Sequence, residues 1–229
     1  MHLSFALGNK EVLDWLLDQG LDINAPSEGT WGYDGGTEAC DNTVEVLNRA
    51  AAYGDIDLFD HLVARGAKPT HSNALHHTAG SSNAAAMIAH LIDKYKFDVN
   101  ADDTCGGLNE LTELGSGPWG SPLNYAIEFS NLPAVETLLK YGAEIGDGPA
   151  IAIGKKNAPG LKIFLDKGAD PTKALDIAAC SDYVEGCKLC LEYGGDIAIV
   201  EARDREVASG RSPHKEIGTK ARRFLCEWK

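Results

Sequence analysis

The sequence predicts an all-α solenoid of about six helix–turn–helix units. One order of features recurs along the chain, apolar residues repeat at helical spacing within each copy, and a glycine closes most copies. Residues 121–146 form the clearest copy, in which Pro122 opens a first helix and Gly142 stops a second helix that carries Leu138 and Leu139 on its apolar face. Because the copies keep the same register, we expect them to stack into one array.

Six segments carry the pattern, and two long stretches interrupt it. The repeat units span residues 1–24, 43–69, 73–100, 121–146, 148–171 and 174–197, with inserted loops at 25–42 and 101–120. The third unit has one extra residue near Lys96 and lacks a stop glycine, so we expect its second helix to end irregularly.

The two ends of the array differ from its middle. Residues 1–24 supply only the second helix of a unit, so the natural chain either begins upstream of Met1 or self-associates through this incomplete first repeat. Residues 199–229 are more basic and place apolar side chains on one helical face from Ile217 to Trp228. We expect this segment to cap the last unit.

The first helices of the units open on a shared motif. It reads Pro122-Leu123-Asn124 in the fourth unit and Leu75-His76 in the third, each with a small residue two positions further on. This order resembles the ankyrin repeat, whose opening motif is Thr-Pro-Leu-His, and the resemblance extends over most of the chain. It implies stacked helix pairs and a protein-binding role.

Composition excludes several classes of partner and location. The chain has 34 acidic and 21 basic residues, so nucleic acid would meet net repulsion, whereas a basic protein or peptide would be attracted. No apolar run approaches the length of a membrane helix, and the first residues lack the features of a signal peptide. Six cysteines are too few for a disulfide scaffold in 229 residues. We expect a cytoplasmic or nucleocytoplasmic protein that does not contact membranes.

Two short segments are similar to cofactor motifs without matching them. Cys187 and Cys190 have the spacing of a zinc-binding pair, but a zinc site usually needs two such pairs, and both residues fall on the apolar face of a helix. Residues 148–156 lack the first glycine of a phosphate-binding loop. We therefore expect core cysteines, no metal and no cofactor.

A run of polar residues interrupts the apolar pattern of the first helices. In the ankyrin motif, the position after the histidine is normally apolar; here it holds Arg49, His77 and Tyr125 in three consecutive units, and Ile151 and Ile177 in the next two. Stacking places equivalent positions side by side, so the three polar residues should form a row on the concave face.

Further candidate contacts surround this row. Within or just after the opening motifs they are Tyr53, His76, Ser81, Asn124, Glu128 and Phe129, and in the inserted loops they are Trp31, Tyr33, Asp34 and Trp119. Aromatic, arginine and histidine side chains that converge beneath long loops are typical of a recognition site.

Three interpretations of the row remain open at this point. The polar groups could satisfy neighbouring backbone, as the motif histidine does. They could bind a partner protein or peptide, the interpretation that the resemblance favours. They could also form the pocket of a cofactor-independent cyclase, isomerase or lyase acting on a small organic molecule. In that enzyme His77 would transfer protons, Tyr125 would donate one and Arg49 would stabilise an oxyanion.

Overall fold

The computed structural model describes residues 7–25, 44–102, 120–209 and 216–228. Within these ranges the regular elements are helices, with no strand, and the predicted all-α class is confirmed. No helix in the same ranges is long and apolar enough to cross a membrane. The chain divides into two compact blocks, Met1–Glu144 and Ile145–Lys229, which are called here the N-terminal and the C-terminal block.

The N-terminal block has two layers of helices. In chain order its α-helices are α1 (Lys10–Asp18), α2 (Glu45–Tyr53), α3 (Ile56–Ala64), α4 (Ala74–His77), α5 (Ala84–Tyr95), α6 (Pro122–Glu128) and α7 (Leu132–Lys140). Short 3-10 turns at Pro69–His71 and Thr78–Gly80 flank α4. Helices α2, α4 and α6 pack side by side as the inner helices, and each is followed by an outer helix, α3, α5 or α7.

Short polar side chains set where the outer helices begin. Asn9, Asp55 and Asn131 precede α1, α3 and α7, and the side chain of each accepts a hydrogen bond from a backbone N–H in the first turn. Such caps satisfy donors that a helix cannot pair internally. The turn positions predicted from the sequence are therefore the helix starts.

The helix ends follow the predicted stops, with one exception. The stop glycines have the left-handed backbone conformation, with φ of 89° at Gly20, 103° at Gly66 and 90° at Gly142. Helix α5 instead ends on Lys96, which has the same conformation at φ 60°. The expected irregular end is thus wrong: α5 runs for twelve residues and closes with a left-handed cap that a lysine provides.

The core repeats the same positions in each helix pair. Leu47, Leu75 and Leu123 occupy equivalent places in α2, α4 and α6, and all three are fully buried. In α7 the buried side chains include Leu138, whereas Leu139, which the sequence pattern also placed on the apolar face, is half-exposed. Two adjacent leucines point about 100° apart around a helix, so only one faces the core centre.

Asparagine side chains join consecutive repeat units. Asn83 Nδ2 donates to the carbonyl oxygen of Gly54 at 2.8 Å. Asn131 Nδ2 donates to the carbonyl oxygens of Ala79 and Ser81 at 2.9 and 2.8 Å. In both cases the start of an outer helix satisfies carbonyls at the end of the preceding inner helix, which fixes the register between units.

A carboxylate links the outer helices α3 and α5. Asp60 accepts hydrogen bonds from His90 Nε2 and Lys94 Nζ at 2.7 Å and from the Tyr95 hydroxyl at 2.6 Å. Burial alone would raise the pKa of Asp60, but these three donors outweigh it and lower the pKa to about 2. The Asp60 charge therefore stabilises the folded state.

The C-terminal block repeats the two-layer arrangement. Its helices are α8 (Gly148–Gly154), α9 (Ala158–Asp166), α10 (Pro171–Cys180), α11 (Val184–Glu192), α12 (Ile197–Ala208) and α13 (Thr219–Glu227). Cys187 and Cys190 lie fully buried in α11, as predicted for core residues, and burial raises the pKa of both thiols to about 12. They are therefore protonated at neutral pH.

Two helices cover the last predicted repeat unit. Helix α12 packs against α10, and α13 packs against α10 and α11. Ala221 and Leu225 of α13 are buried, and so is Ile217 just before it, whereas Trp228 remains exposed. The segment expected to form a single capping helix thus contributes a helix pair, from which only part of the predicted apolar stripe is buried.

The exposure of Leu138 and Leu139 gives a test of the packing. Leu138→Ala should lower the free energy of unfolding by about 2 to 5 kcal/mol, because it opens a cavity in the core. Leu139→Ala should cost well under half of that, since its side chain is already half-exposed. Urea denaturation followed by circular dichroism measures both, and equal losses would contradict this packing of α7.

The Asp60 cluster gives a pH-dependent test. The pKa of Asp60 lies below its ordinary value of 3.8, so its stabilisation is complete above pH 4 and is lost as the pH falls towards 2. Asp60→Asn should therefore cost about 2 kcal/mol at neutral pH and progressively less below pH 4. The control Asp57→Asn, at an exposed carboxylate of the same helix, should cost less than about 1 kcal/mol. Denaturation curves across this pH range measure both, and an unchanged Asp60→Asn deficit at acidic pH would contradict the assignment.

Candidate functional site

The predicted polar row lies on the inner helices of the N-terminal block. Arg49 belongs to α2, His77 ends α4 and Tyr125 belongs to α6, and these three helices are packed in that order. The residues differ in accessibility: the Arg49 side chain is 43% exposed, His77 is half-buried and Tyr125 is only 1% exposed. The row therefore reaches solvent at α2 and α4 and is buried at α6.

The Arg49 side chain is held by a residue that sequence reasoning missed. Its Nε donates to Glu45 Oε1 at 2.7 Å, one helical turn earlier, and the Glu45 carboxylate is nearly buried. This contact orients the guanidinium while leaving part of it in solvent. The i, i+4 spacing of a glutamate before an arginine was the available signal.

The electrostatic surroundings of His77 favour its neutral form. Burial, followed by electrostatic interactions with His76 and with the positively charged Arg49, lowers the pKa of His77 to about 3. At neutral pH the imidazole is therefore uncharged, keeps a single weakly acidic N–H and is a weak base. Such a group is suited to hydrogen bonding or packing rather than to proton transfer.

His76 has a structural position. Its Nε2 lies 2.9 Å from the carbonyl oxygen of Ala101 and 3.0 Å from that of Gly120, so this nitrogen carries the proton and donates to both. The Tyr125 ring packs against the His76 ring edge-to-face, with centroids 5.5 Å apart and an interplanar angle of 85°. His76 and Tyr125 together support the segment around the second inserted loop.

Two aromatic side chains mark the exposed ends of the inner helices. Tyr53 ends α2 and is 63% exposed, and Phe129 follows α6 and is 36% exposed. The equivalent position in the third unit holds the buried Ser81, and a Cβ atom on the preceding Gly80 would be 3.7 Å from the Phe129 ring. We call Tyr53, Gly80 and Phe129 the aromatic edge, after its two exposed rings.

The other predicted contacts are distributed unevenly. Ser81 is buried, and its hydroxyl oxygen accepts from the backbone N–H of Asn83 at 3.1 Å, so it belongs to the turn. Asn124 and Glu128 are half-buried on α6. The loop residues Trp31, Tyr33, Asp34 and Trp119 lie outside the described residues. The structure thus brings together Arg49 with His77 and His76 with Tyr125.

The described residues do not assemble a metal centre. No group of three or more histidine, cysteine, aspartate or glutamate side chains among them could hold a metal ion.

Comparisons with known proteins agree with this architecture. A family model described as ankyrin repeats, in three copies, matches residues 47–148. The crystal structure of the human ASB11 ankyrin repeat domain is similar over 100% of this chain and 98% of that domain, with a TM-score of 0.67 and 18% identity. No curated protein sequence matches the chain. At this identity the structural similarity concerns the fold.

The adjacent histidines give a test of the site. His76→Ala leaves the carbonyls of Ala101 and Gly120 without their donor, so the free energy of unfolding should fall by about 1 to 3 kcal/mol. The His77 side chain makes no hydrogen bond to any residue that the structure describes, so His77→Ala should cost less than His76→Ala. Thermal and chemical denaturation of the two variants measure the difference, and the reverse order would contradict the assignment of His76 as the structural histidine.

Proposed function

The chain is an ankyrin-repeat protein, and we propose that it binds a protein or peptide partner through the inner helices of its N-terminal block. Ankyrin repeats generally mediate protein–protein interactions. The observation that carries the proposal is the aromatic edge, where Tyr53 and Phe129 expose large rings on a rigid helical surface.

Exposed aromatic rings in this position favour recognition over folding. Tyr and Phe contribute large contact areas and lose little side-chain freedom on binding, and such residues are enriched at the centres of interfaces. The equivalent positions in the next two repeat units hold Lys155 and Ser181. The third unit holds Ser81 at this position, so of these five units only the second and the fourth carry an aromatic ring there.

Charge defines the kind of partner that fits. The formal net charge of −13 favours a basic segment and accelerates its encounter with the protein at low ionic strength. Beside the aromatic edge, Glu128 adds a carboxylate, and Arg49 offers a guanidinium already oriented by Glu45. We propose a partner segment that combines apolar or aromatic side chains with lysine or arginine.

The enzyme interpretation receives less support from this geometry. A proton-transferring His77 would need a pKa near neutrality, and a proton-donating Tyr125 would need access to substrate. His77 is instead held neutral by its low pKa, and Tyr125 is packed on His76. Binding of a small organic molecule without chemistry remains compatible with the same surface.

Two further elements belong to the proposal. The exposed Val12 and Trp15 on α1 leave apolar surface at the first predicted repeat unit, which supports self-association there.

The composition supports a cytoplasmic or nucleocytoplasmic location.

Peptide selection followed by affinity measurement tests the aromatic edge. Peptides would be selected from a random phage-displayed library on the full chain, and their dissociation constants measured by fluorescence anisotropy. Tyr53→Ala and Phe129→Ala should each weaken binding by about tenfold or more, because each removes an aromatic anchor. Binding should also weaken as salt rises, since the selected peptides should be basic.

Trp15→Ala is the matched control. It removes an aromatic ring of similar exposure, 59%, from an outer helix of the same block and should leave the affinity unchanged. Trp15→Ala and Tyr53→Ala should keep the melting temperature of the parent chain because their rings are mostly exposed, and Phe129→Ala should lower it slightly because its ring is only 36% exposed. Selected peptides that lose affinity with Trp15→Ala but not with Tyr53→Ala or Phe129→Ala would move the interface to α1 and overturn the proposal.

A further inference from the structure

A cavity lies between the start of α4 and the chain that follows α5. Its volume is about 240 Å³. The residues that matter for its chemistry are Asn73, Leu75, Tyr95, Phe97, Asp98 and Asp102. None of the aromatic-edge residues lines it, although His76 of the candidate site does.

The wall formed by Asn73 has an unsatisfied donor. Asn73 directly precedes α4 and is only 5% exposed, yet its side chain does not cap the helix. Its Nδ2 is buried and has no hydrogen-bond partner among the described residues. A buried amide without an acceptor is costly in a folded protein. An acceptor atom supplied by a ligand would remove that cost.

The other walls are largely apolar. Leu75 is fully buried beneath the cavity, and the half-buried Phe97 adds an aromatic ring. The Tyr95 hydroxyl is engaged with Asp60, which does not line the cavity, so Tyr95 contributes mainly its ring. An apolar group of the ligand would therefore fill the interior.

The charged side chains at the rim of the cavity give it a net negative charge. Asp98 and Asp102 are exposed there, with Lys96 as the one lysine or arginine among the lining residues. The Lys96 ammonium group donates to the carbonyl oxygen of Asp93 at 2.6 Å, which holds it towards its own helix. A ligand with a positive group beside its apolar group would be attracted to the two carboxylates.

We propose that this cavity binds an apolar side chain of a peptide in which the next residue is lysine or arginine. The peptide carbonyl accepts the hydrogen bond of Asn73 Nδ2, the apolar side chain contacts Leu75 and Phe97, and the basic residue faces Asp98 and Asp102. This inference rests on the proposed function only in taking a peptide as the ligand, and it assigns a second anchor point away from the aromatic edge.

Nuclear magnetic resonance on the full ¹⁵N-labelled chain tests the proposal with defined dipeptides. The probe is N-acetyl-leucyl-lysine amide, and the control is N-acetyl-leucyl-glutamate amide at the same millimolar concentrations. The side-chain amide signals of Asn73 should shift with the lysine probe, and the glutamate control should bind more weakly because the rim carboxylates repel it. Asn73 signals that do not respond to the lysine probe overturn the proposal.

Asn73→Leu separates binding from folding. The substitution keeps a similar volume and removes the unpaired donor, so the melting temperature should stay unchanged or rise. Binding of the lysine probe, followed through neighbouring backbone signals, should weaken about three- to tenfold. A lower melting temperature with unchanged binding would assign Asn73 a purely structural role and overturn the proposal. Asp98→Asn with Asp102→Asn should remove the preference for lysine over glutamate.

The two proposals can fail independently. The dipeptide is too short to rest on two separate sites, so Tyr53→Ala and Phe129→Ala should leave its binding unchanged. Sensitivity of the dipeptide to these two variants would place it on the aromatic edge and overturn the cavity proposal. Conversely, if the binding of library peptides does not depend on Tyr53 or Phe129, the Asn73 signals should still shift with the dipeptide.

Discussion

The N-terminal block depends on hydrogen bonds that one repeat unit makes for the next. A helix leaves its last carbonyls without internal partners, and short helices have few ways to satisfy them. Here the carbonyls just after an inner helix are satisfied by an asparagine that starts the outer helix of the following repeat unit, as Asn131 does for Ala79 and Ser81. A single helix pair therefore cannot complete its own polar groups, and stacking is required for both the buried leucines and the backbone.

This constraint also determines where function can reside. The carbonyls at the ends of α2 and α4 are bound by asparagine side chains, so the residues beside them can vary without loss of these contacts. Tyr53 and Phe129 lie beside Gly54 and Asn131, and both point at least partly into solvent. A ring held at the end of a fixed helix loses little freedom on binding, which makes it an effective anchor.

Structural features that follow from the repeating pattern could be predicted from the sequence, whereas features that depend on packing against neighbouring residues could not. The helix pairs, stop glycines and buried cysteines follow from a repeating pattern. The exposure of Leu139 does not follow from the pattern, because it depends on which of two adjacent leucines faces the core. The left-handed conformation of Lys96 does not follow from it either, because it depends on how the chain accommodates one inserted residue. Nor could the sequence predict that His77 is held neutral, since this follows from its burial and from Arg49 on another helix.

The polar row shows that adjacent residues of one motif can differ between buried structural contacts and exposed surface. His76 and His77 are adjacent in the chain, yet successive residues on a helix point about 100° apart. His76 consequently turns towards the backbone of Ala101 and Gly120, where it supports Tyr125, while the half-buried His77 remains next to Arg49. Neither a purely structural role nor a purely exposed surface therefore describes all three residues of the row. Its buried end at Tyr125 supports the scaffold, and its accessible end at Arg49 extends the surface that carries the aromatic edge.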